Sequence, residues 1–213
     1  MMRKEDRMLQ DGLLVLLSIK GFAKVDGLAE ILEIDGGDVE RELARLASNG
    51  EAEETKIGWR LTQSGKSAAA AYITQERTAA GLSEMDDVYE TFTVCNDRFK
   101  TTIMRWQVRT VGGSGVPNDH SDAAYDQSVI DELRSIHAEI DRLLERIARG
   151  LPRANIYRRR FERALEKISR GERRFVAAPI IDSYHTVWFE LHEDLIRLAG
   201  RNRKDEAAAG RGA

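Results

Sequence analysis

Over the last two thirds of the chain the apolar residues recur every three or four positions, and that spacing limits what they can build. Met85, Val88, Phe92, Cys95, Phe99, Ile103 and Trp106 form one stripe, predicting a helix from about Ser83 to Thr110. At the α-helical rise such a helix is about 40 Å long. A second stripe runs Tyr125, Val129, Leu133, Ile136, Ile140, Leu143 or Leu144, and Ile147, within a helix over 121–149. A third carries Tyr157, Phe161, Leu165 and Ile168 between Pro152 and Gly171. A fourth carries Tyr184, Val187 or Trp188, Leu191, Leu195 and Leu198, from near Pro179 to about Ala199. Amphipathic helices joined by short loops bury their stripes against one another, so an antiparallel four-helix bundle is expected over 83–200.

The joints of this bundle have their own signals. Pro117, Pro152 and Pro179 are each expected near a helix start, because proline suits the first turn and breaks the interior. Gly150 and Gly200 read as helix stops. Ser83 with Asp86 resembles a capping pair, and Asp119 or Ser121 is expected to cap the second helix. The stretch from Gly112 to Asp119 reads as a polar, glycine-rich loop. Residues 201–213 are charged, then rich in Ala and Gly, and read as a disordered tail.

The first 65 residues have a different rhythm. Leu13 to Leu17 is the apolar part of one helix. Val25, Leu28, Ile31 and Leu32 mark a short second helix, and Glu33 to Gly37 a turn. Asp38 is expected to cap a third helix with Val39, Leu43 and Leu46 inward, closed by Asn49-Gly50. Two short strands fit Glu51 to Leu61, around Lys56-Ile57-Gly58-Trp59, and a linker helix follows over 66–82. Three helices and a hairpin predict a winged helix-turn-helix over 1–65. The whole chain is therefore expected to be mainly α.

The N-terminal pattern resembles a MarR-type winged helix-turn-helix transcription regulator over roughly Asp11 to Ala70. Leu28-Ala29-Glu30-Ile31-Leu32 matches its second helix. Asp38-Val39-Glu40-Arg41-Glu42-Leu43-Ala44-Arg45-Leu46 matches its recognition helix. Gly58-Trp59-Arg60-Leu61-Thr62-Gln63-Ser64-Gly65 resembles the strand leaving the wing. Typical members are shorter and dimerise through helices flanking the winged helix, whereas about 130 residues follow here. That region, with Asn118-Asp119-His120-Ser121-Asp122 and the run from Asp182 to Leu195, looks similar to a C-terminal region of bacterial regulators. It also looks similar to the end of some proteins with a phosphoenolpyruvate-utiliser phosphohistidine domain.

The resemblance implies double-stranded DNA as partner and a homodimer, since paired half-sites need a two-fold protein. Arg41 and Arg45 share a face of the recognition helix with Ser48, pointing away from the apolar positions, and are the candidates for base or phosphate contact. Lys56 and Arg60 in the wing are candidates for phosphate contact. Yet residues 1–62 hold nine bases and thirteen acids, a balance of −4. Phosphate neutralisation dominates non-specific DNA affinity, so an acidic module must place its few bases well. The competing reading pairs Arg41 and Arg45 with Asp38 and Glu42 on a solvated helix. The alternative function is then a winged-helix interaction module, or an accessory subunit of a phosphotransfer-type enzyme. Segment 150–174 is the most basic, with nine bases against three acids, and Arg159, Arg163, Lys167 and Arg170 fall along one face. It reads either as an anion-binding strip or as a solvated face paired with acidic neighbours.

Little points to catalysis. His185 and His192 are seven residues apart, about 10.5 Å along a helix, too far to share a metal. His192-Glu193 lacks the second histidine of the zinc-protease pair, because residue 196 is Ile196. No Gly-Lys-Ser/Thr follows the glycines at 112, 113 and 115, and no nucleophile elbow occurs. No enzyme activity, cofactor or metal is expected. Cys95, the single cysteine, lies on the apolar stripe and reads as a core residue. Polar and aromatic groups are dense on core-facing stretches instead. Asn96, Trp106, His120, Tyr184, His185, Trp188 and His192 are the candidates to hold a small aromatic or anionic ligand, against the plainer reading of a satisfied internal network. No apolar run reaches the ~20 residues of a membrane span, and the charged start followed by a short apolar stretch does not make a signal peptide. A cytoplasmic protein without a membrane partner is expected.

Overall fold

A computed structural model of the chain describes residues 4–80 and 82–208. Among these the chain is mainly helical, and it divides into two compact units, 1–82 and 83–213.

The first unit contains α1 (Lys4–Lys20), α2 (Val25–Leu32), α3 (Gly36–Ser48), β1 (Ala52–Thr55), β2 (Gly58–Leu61) and α4 (Gln63–Ala80). Leu13, Leu14, Val15, Leu16 and Leu17 are all buried, because α1 packs against α3, β2 and α4 on several sides. Leu28 and Ile31 of α2 and Val39, Leu43 and Leu46 of α3 close the same core. The cap of α3 is Asp35, not Asp38. Asp35 has an extended backbone, so its carboxylate accepts from the Gly37 amide at 2.8 Å, whereas Asp38 is already in the first turn. β1 and β2 pair antiparallel, with Ala52 opposite Leu61 and Thr55 opposite Gly58. Ala23 adds a single bridge to Trp59, through backbone bonds of 2.9 and 2.8 Å. Gly65, in the first turn of α4, sits so close to Glu51 that a Cβ would lie 1.9 Å from its carbonyl oxygen. Only glycine lets α4 leave the hairpin at this angle. The helix set apart as a linker over 66–82 thus packs as part of this unit, on α1 and β2.

The second unit is built from α5 (Leu82–Gln107), α6 (Ala123–Ala148), α7 (Asn155–Ser169) and α9 (Tyr184–Leu198), with a short α8 (Arg174–Ala177) and α10 (Arg203–Ala208). Every residue of the α5 stripe, from Met85 to Trp106, is buried. α5 and α6 run antiparallel, since Asp87 pairs with Arg146 at 2.8 Å while Arg98 pairs with Glu139 at 2.6 Å and Glu132 at 2.8 Å. α9 is buried nearly all round and carries the buried polar residues Glu190, His192 and Asp194 besides its apolar stripe.

Several joints differ from expectation. α5 ends at Gln107, and β3 (Val108–Val111) and β4 (Ser114–Pro117) form an antiparallel hairpin where a loop is expected. Gly112 and Gly113 both have positive φ, 58° and 85°, which suits a two-residue turn whose twist matches the strands. Pro117 therefore ends a strand, and α6 is capped by Asp122, whose carboxylate accepts from the Tyr125 amide at 3.0 Å. Asp119 instead accepts from Ser121 within the loop. Pro152 does open a short 3₁₀ turn, Pro152–Ala154, but Pro179 precedes a cap at Ser183. The Ser83 side chain lies outside the described residues. Of the expected tail, Arg203–Ala208 form α10, in which Glu206 is buried and accepts from the Tyr89 hydroxyl at 2.7 Å, and 209–213 lie outside the described residues.

Buried ion pairs tie α7 to α9. Arg160 is fully buried and meets Asp182 at 2.7 and 2.6 Å and Glu190 at 2.8 Å. Burial opposes its charge, and the carboxylates more than offset that, so its pKa rises. Asp194 is held by Arg153 and by the Tyr157 hydroxyl at 3.0 Å. Removing one member of such a cluster strands the others in a poor dielectric. Arg160→Ala is expected to cost about 3–5 kcal/mol in urea unfolding. A loss below about 1 kcal/mol, the range of an exposed pair, would contradict this placement.

Candidate functional site

In the first unit α3 presents Arg41, Ala44 and Ser48 to solvent, with Arg45 half-buried, on the face opposite Val39, Leu43 and Leu46. Each arginine has an acidic partner on its own helix. Arg41 pairs with Asp38, and Arg45 pairs with Glu42 at 2.9 and 2.5 Å. Ser48 donates back to the Ala44 carbonyl at 2.9 Å. Arg60 crosses the hairpin to Glu53 at 2.8 Å. Lys56 occupies the exposed turn between β1 and β2 and has no ion-pair partner among the described residues. The Arg41 and Arg60 pairs are exposed. Such pairs contribute about 0–1 kcal/mol and exchange readily for another anion.

In the second unit the candidate ligand residues fall into separate places. Trp188 lies against Phe99, ring centroids 4.1 Å apart and planes within 14°, and also stacks on Phe92 at 5.3 Å. Its indole N–H donates to the Asn96 oxygen at 2.9 Å. Asn96, Trp188 and His185 line one pocket of about 150 Å³ between α5 and α9. Burial lowers the His185 pKa. Tyr184 points elsewhere, its hydroxyl 3.3 Å from His137 Nδ1 and its ring 4.6 Å from Phe161.

His192 belongs to a third group. Tyr89 gives its hydroxyl proton to Glu206, so His192 Nε2, 3.3 Å away, is the donor to the Tyr89 oxygen. That leaves Nδ1 as an acceptor without a partner among the described residues. Burial, with Arg203 nearby, brings the imidazole pKa down to about 4. Trp106 and His120 form a fourth group beside the hairpin, rings 4.4 Å apart. There His120 Nδ1 sits 3.1 Å from both oxygens of buried Asp126, which also meets Asn118 at 3.0 Å and Arg173 at 3.2 Å.

Some of these partners escape sequence reasoning. Tyr89, Glu206 and Asp126 lie far along the chain from the residues they serve, or outside the stripes. Phe99 and Ile103 lie on the α5 stripe and Met104 beside it, so the pocket wall is partly legible. The arginines of α7 are partly committed to carboxylates, and the buried and half-buried pairs of Arg160 and Arg158 lie off the expected strip of Arg159, Arg163, Lys167 and Arg170. Arg158 pairs with Asp141 at 2.6 Å, Arg160 with Asp182, and Arg170 with Glu166 at 3.6 Å. Arg159 and Arg163 also have interaction partners. Cys95 is buried, its thiol 3.7 Å from Glu139, and burial and then that carboxylate push its pKa up. Among the described residues no helix is long and apolar enough to cross a membrane, and no group of three or more His, Cys, Asp or Glu is placed to hold a metal. Comparison with known protein families, characterised proteins and solved structures finds no match.

The depressed His192 pKa has a sign. The unfolded chain takes up this proton near the ordinary pKa of about 6.5 and the folded chain only near 4. Stability from this group is complete above the unfolded value and is lost as pH falls through that window, by up to about 3 kcal/mol. His137 and His185, also shifted down, act in the same direction. Unfolding free energies measured at pH 7 and pH 4.5 are expected to differ less in His192→Phe than in the parent. Equal differences would place His192 in water.

Proposed function

We propose that the chain is a DNA-binding transcription regulator. Its first unit acts as a winged helix-turn-helix of the MarR type, and its second as an antiparallel four-helix bundle that senses a small ligand or mediates homodimerisation. The observation that carries this reading is the outer face of α3. A helix of thirteen residues, docked by its apolar face, holds Arg41, Arg45 and Ser48 outward, next in sequence to a hairpin whose turn exposes Lys56. A helix presented in this way fits a major groove, and a hairpin turn carrying an exposed lysine fits the adjoining backbone. The bridge from Ala23 to Trp59 supports the same reading, because it anchors the hairpin to the segment that enters α2. A ligand in the bundle would act by changing the spacing or orientation of two recognition helices. Cytoplasmic location accords with this role.

One observation favours a second reading. Arg41, Arg45 and Arg60 are already paired with carboxylates, and the first 62 residues carry a net −4. In that reading the first unit docks to a protein, for instance a phosphotransfer-type enzyme.

Salt titration of binding to the DNA upstream of the gene separates the two. Specific binding is expected, and Arg41→Ala with Arg45→Ala should weaken it and flatten the salt dependence. Each side chain that neutralises a phosphate adds about 0.9 to the slope of log K on log salt, and its removal takes that much away. Absence of specific binding at low salt, with or without cell metabolites, would refute the regulator. Binding unchanged by the two substitutions would show that α3 does not read the DNA.

A further inference from the structure

We propose that the pocket between α5 and α9 takes a neutral, single-ring aromatic compound bearing one carbonyl oxygen: an aromatic amide, ketone or ester. The proposal deepens the ligand-sensing reading and depends on it only for the consequence of binding.

Size sets the first limit. The pocket has a volume of about 150 Å³. A cavity of about that size lined by aliphatic and aromatic groups takes up benzene, so the space suits one ring and not two. Its walls are Phe99, Ile103, Met104, Trp188 and Phe189. Phe99, Ile103 and Trp188 are buried and form the floor, while Met104 and Phe189 are 59% and 39% exposed and form a rim. Large apolar side chains left exposed around a small apolar hollow mark an entrance.

The polar groups set the second limit. An indole N–H can only donate, so Asn96 must turn its oxygen to Trp188. The amide orientation is thereby fixed, and the Asn96 NH₂ is left as a buried donor without a partner among the described residues. Asn96 lines the pocket, and a donor of this kind is satisfied by an acceptor oxygen brought against it.

Charge sets the third. Lys100, half-buried in the lining, is 3.1 Å from Asp97 and has a further interaction partner. The His185 ring is neutral near pH 7, because burial lowers its pKa. Asn96 and Gln107, the remaining polar lining, carry no charge. A carboxylate would enter an apolar hollow without an uncommitted counter-charge, whereas a neutral carbonyl loses little on leaving water.

The test uses the full chain labelled with ¹⁵N. Its three indole N–H resonances are assigned with Trp59→Phe and Trp106→Phe. Benzamide, toluene and benzoate are titrated separately at pH 7. Benzamide is expected to shift the Trp188 resonance saturably, with toluene and benzoate each binding at least about tenfold more weakly, as befits one hydrogen bond and one charge. Met104→Trp, a substitution at the exposed rim, should fill the entrance and weaken benzamide by at least about tenfold. Toluene or benzoate binding as tightly, no saturable Trp188 shift with benzamide, or a shift unaffected by Met104→Trp would each overturn the proposal. DNA affinity is measured on the free and the benzamide-saturated protein. Benzamide binding without effect on DNA would remove the sensor role and leave the pocket standing. An altered Kd for DNA without a Trp188 shift would keep a sensor and refute this site.

Discussion

Deep between α5 and α9 the Trp188 indole gives its one hydrogen to Asn96, and its ring lies flat on Phe99. An indole buried in an apolar layer costs free energy unless its N–H is matched, and Asn96 is the group that matches it. That bond joins residues 92 positions apart and sets the rotation of α9 relative to α5. With α9 so rotated, Glu190 faces Arg160, Asp194 faces Arg153 and Tyr157, and His192 faces Tyr89. Each of these polar residues would be a liability on a helix buried all round. Together they make one arrangement of the unit far better than its neighbours, because any slip of α9 breaks several matches at once. The same arrangement leaves the Asn96 NH₂ unmatched and a ring-sized hollow beside it. The stabilising layer and the candidate ligand site are therefore one piece of architecture.

The first unit follows a different logic. Its core is small and mainly apolar, and apart from buried Glu42 its charges lie toward the surface. The acids that make it net negative also sit beside its arginines, so the face of α3 is electrically muted, by Asp38 in an exposed pair with Arg41 and by buried Glu42 against Arg45. A phosphate can displace Asp38 from Arg41, because an exposed pair is held weakly, whereas buried Glu42 keeps its hold on Arg45. An acidic module with exchangeable arginines suits binding that depends on the fit of a few contacts more than on bulk charge. This is the physical ground on which DNA recognition and protein docking compete.

Helical periodicity carried most of what was legible. The stripes of α5, α6, α7 and α9 follow the 3.6-residue period, and the burial of Phe92, Ile140, Phe161 and Leu195 follows from it. What escaped depends on distant partners or on turn chemistry. The hairpin after α5 was written in Gly112-Gly113 following the β-branched Thr110-Val111, a short signal beside a long helix. α10 is ordered by Glu206, whose partner Tyr89 lies 117 residues earlier, and composition alone reads that stretch as tail. The basic run of α7 has little meaning by itself, because its partners Asp141, Asp182 and Glu190 come from elsewhere in the unit. The candidate site was half legible for the same reason. Asn96, His185 and Trp188 were recognisable as inward polar and aromatic groups, but only the fold separates them from Tyr184, His192 and His120.

Hydrogen exchange at the Trp188 indole tests the central interaction most directly. If that N–H is held by Asn96 within the stacked layer, it exchanges only on opening of the whole unit, and its protection should match the unit's unfolding free energy. Exchange as fast as that of a solvent-exposed indole would contradict the account, since α9 would then lack the bond that sets its rotation.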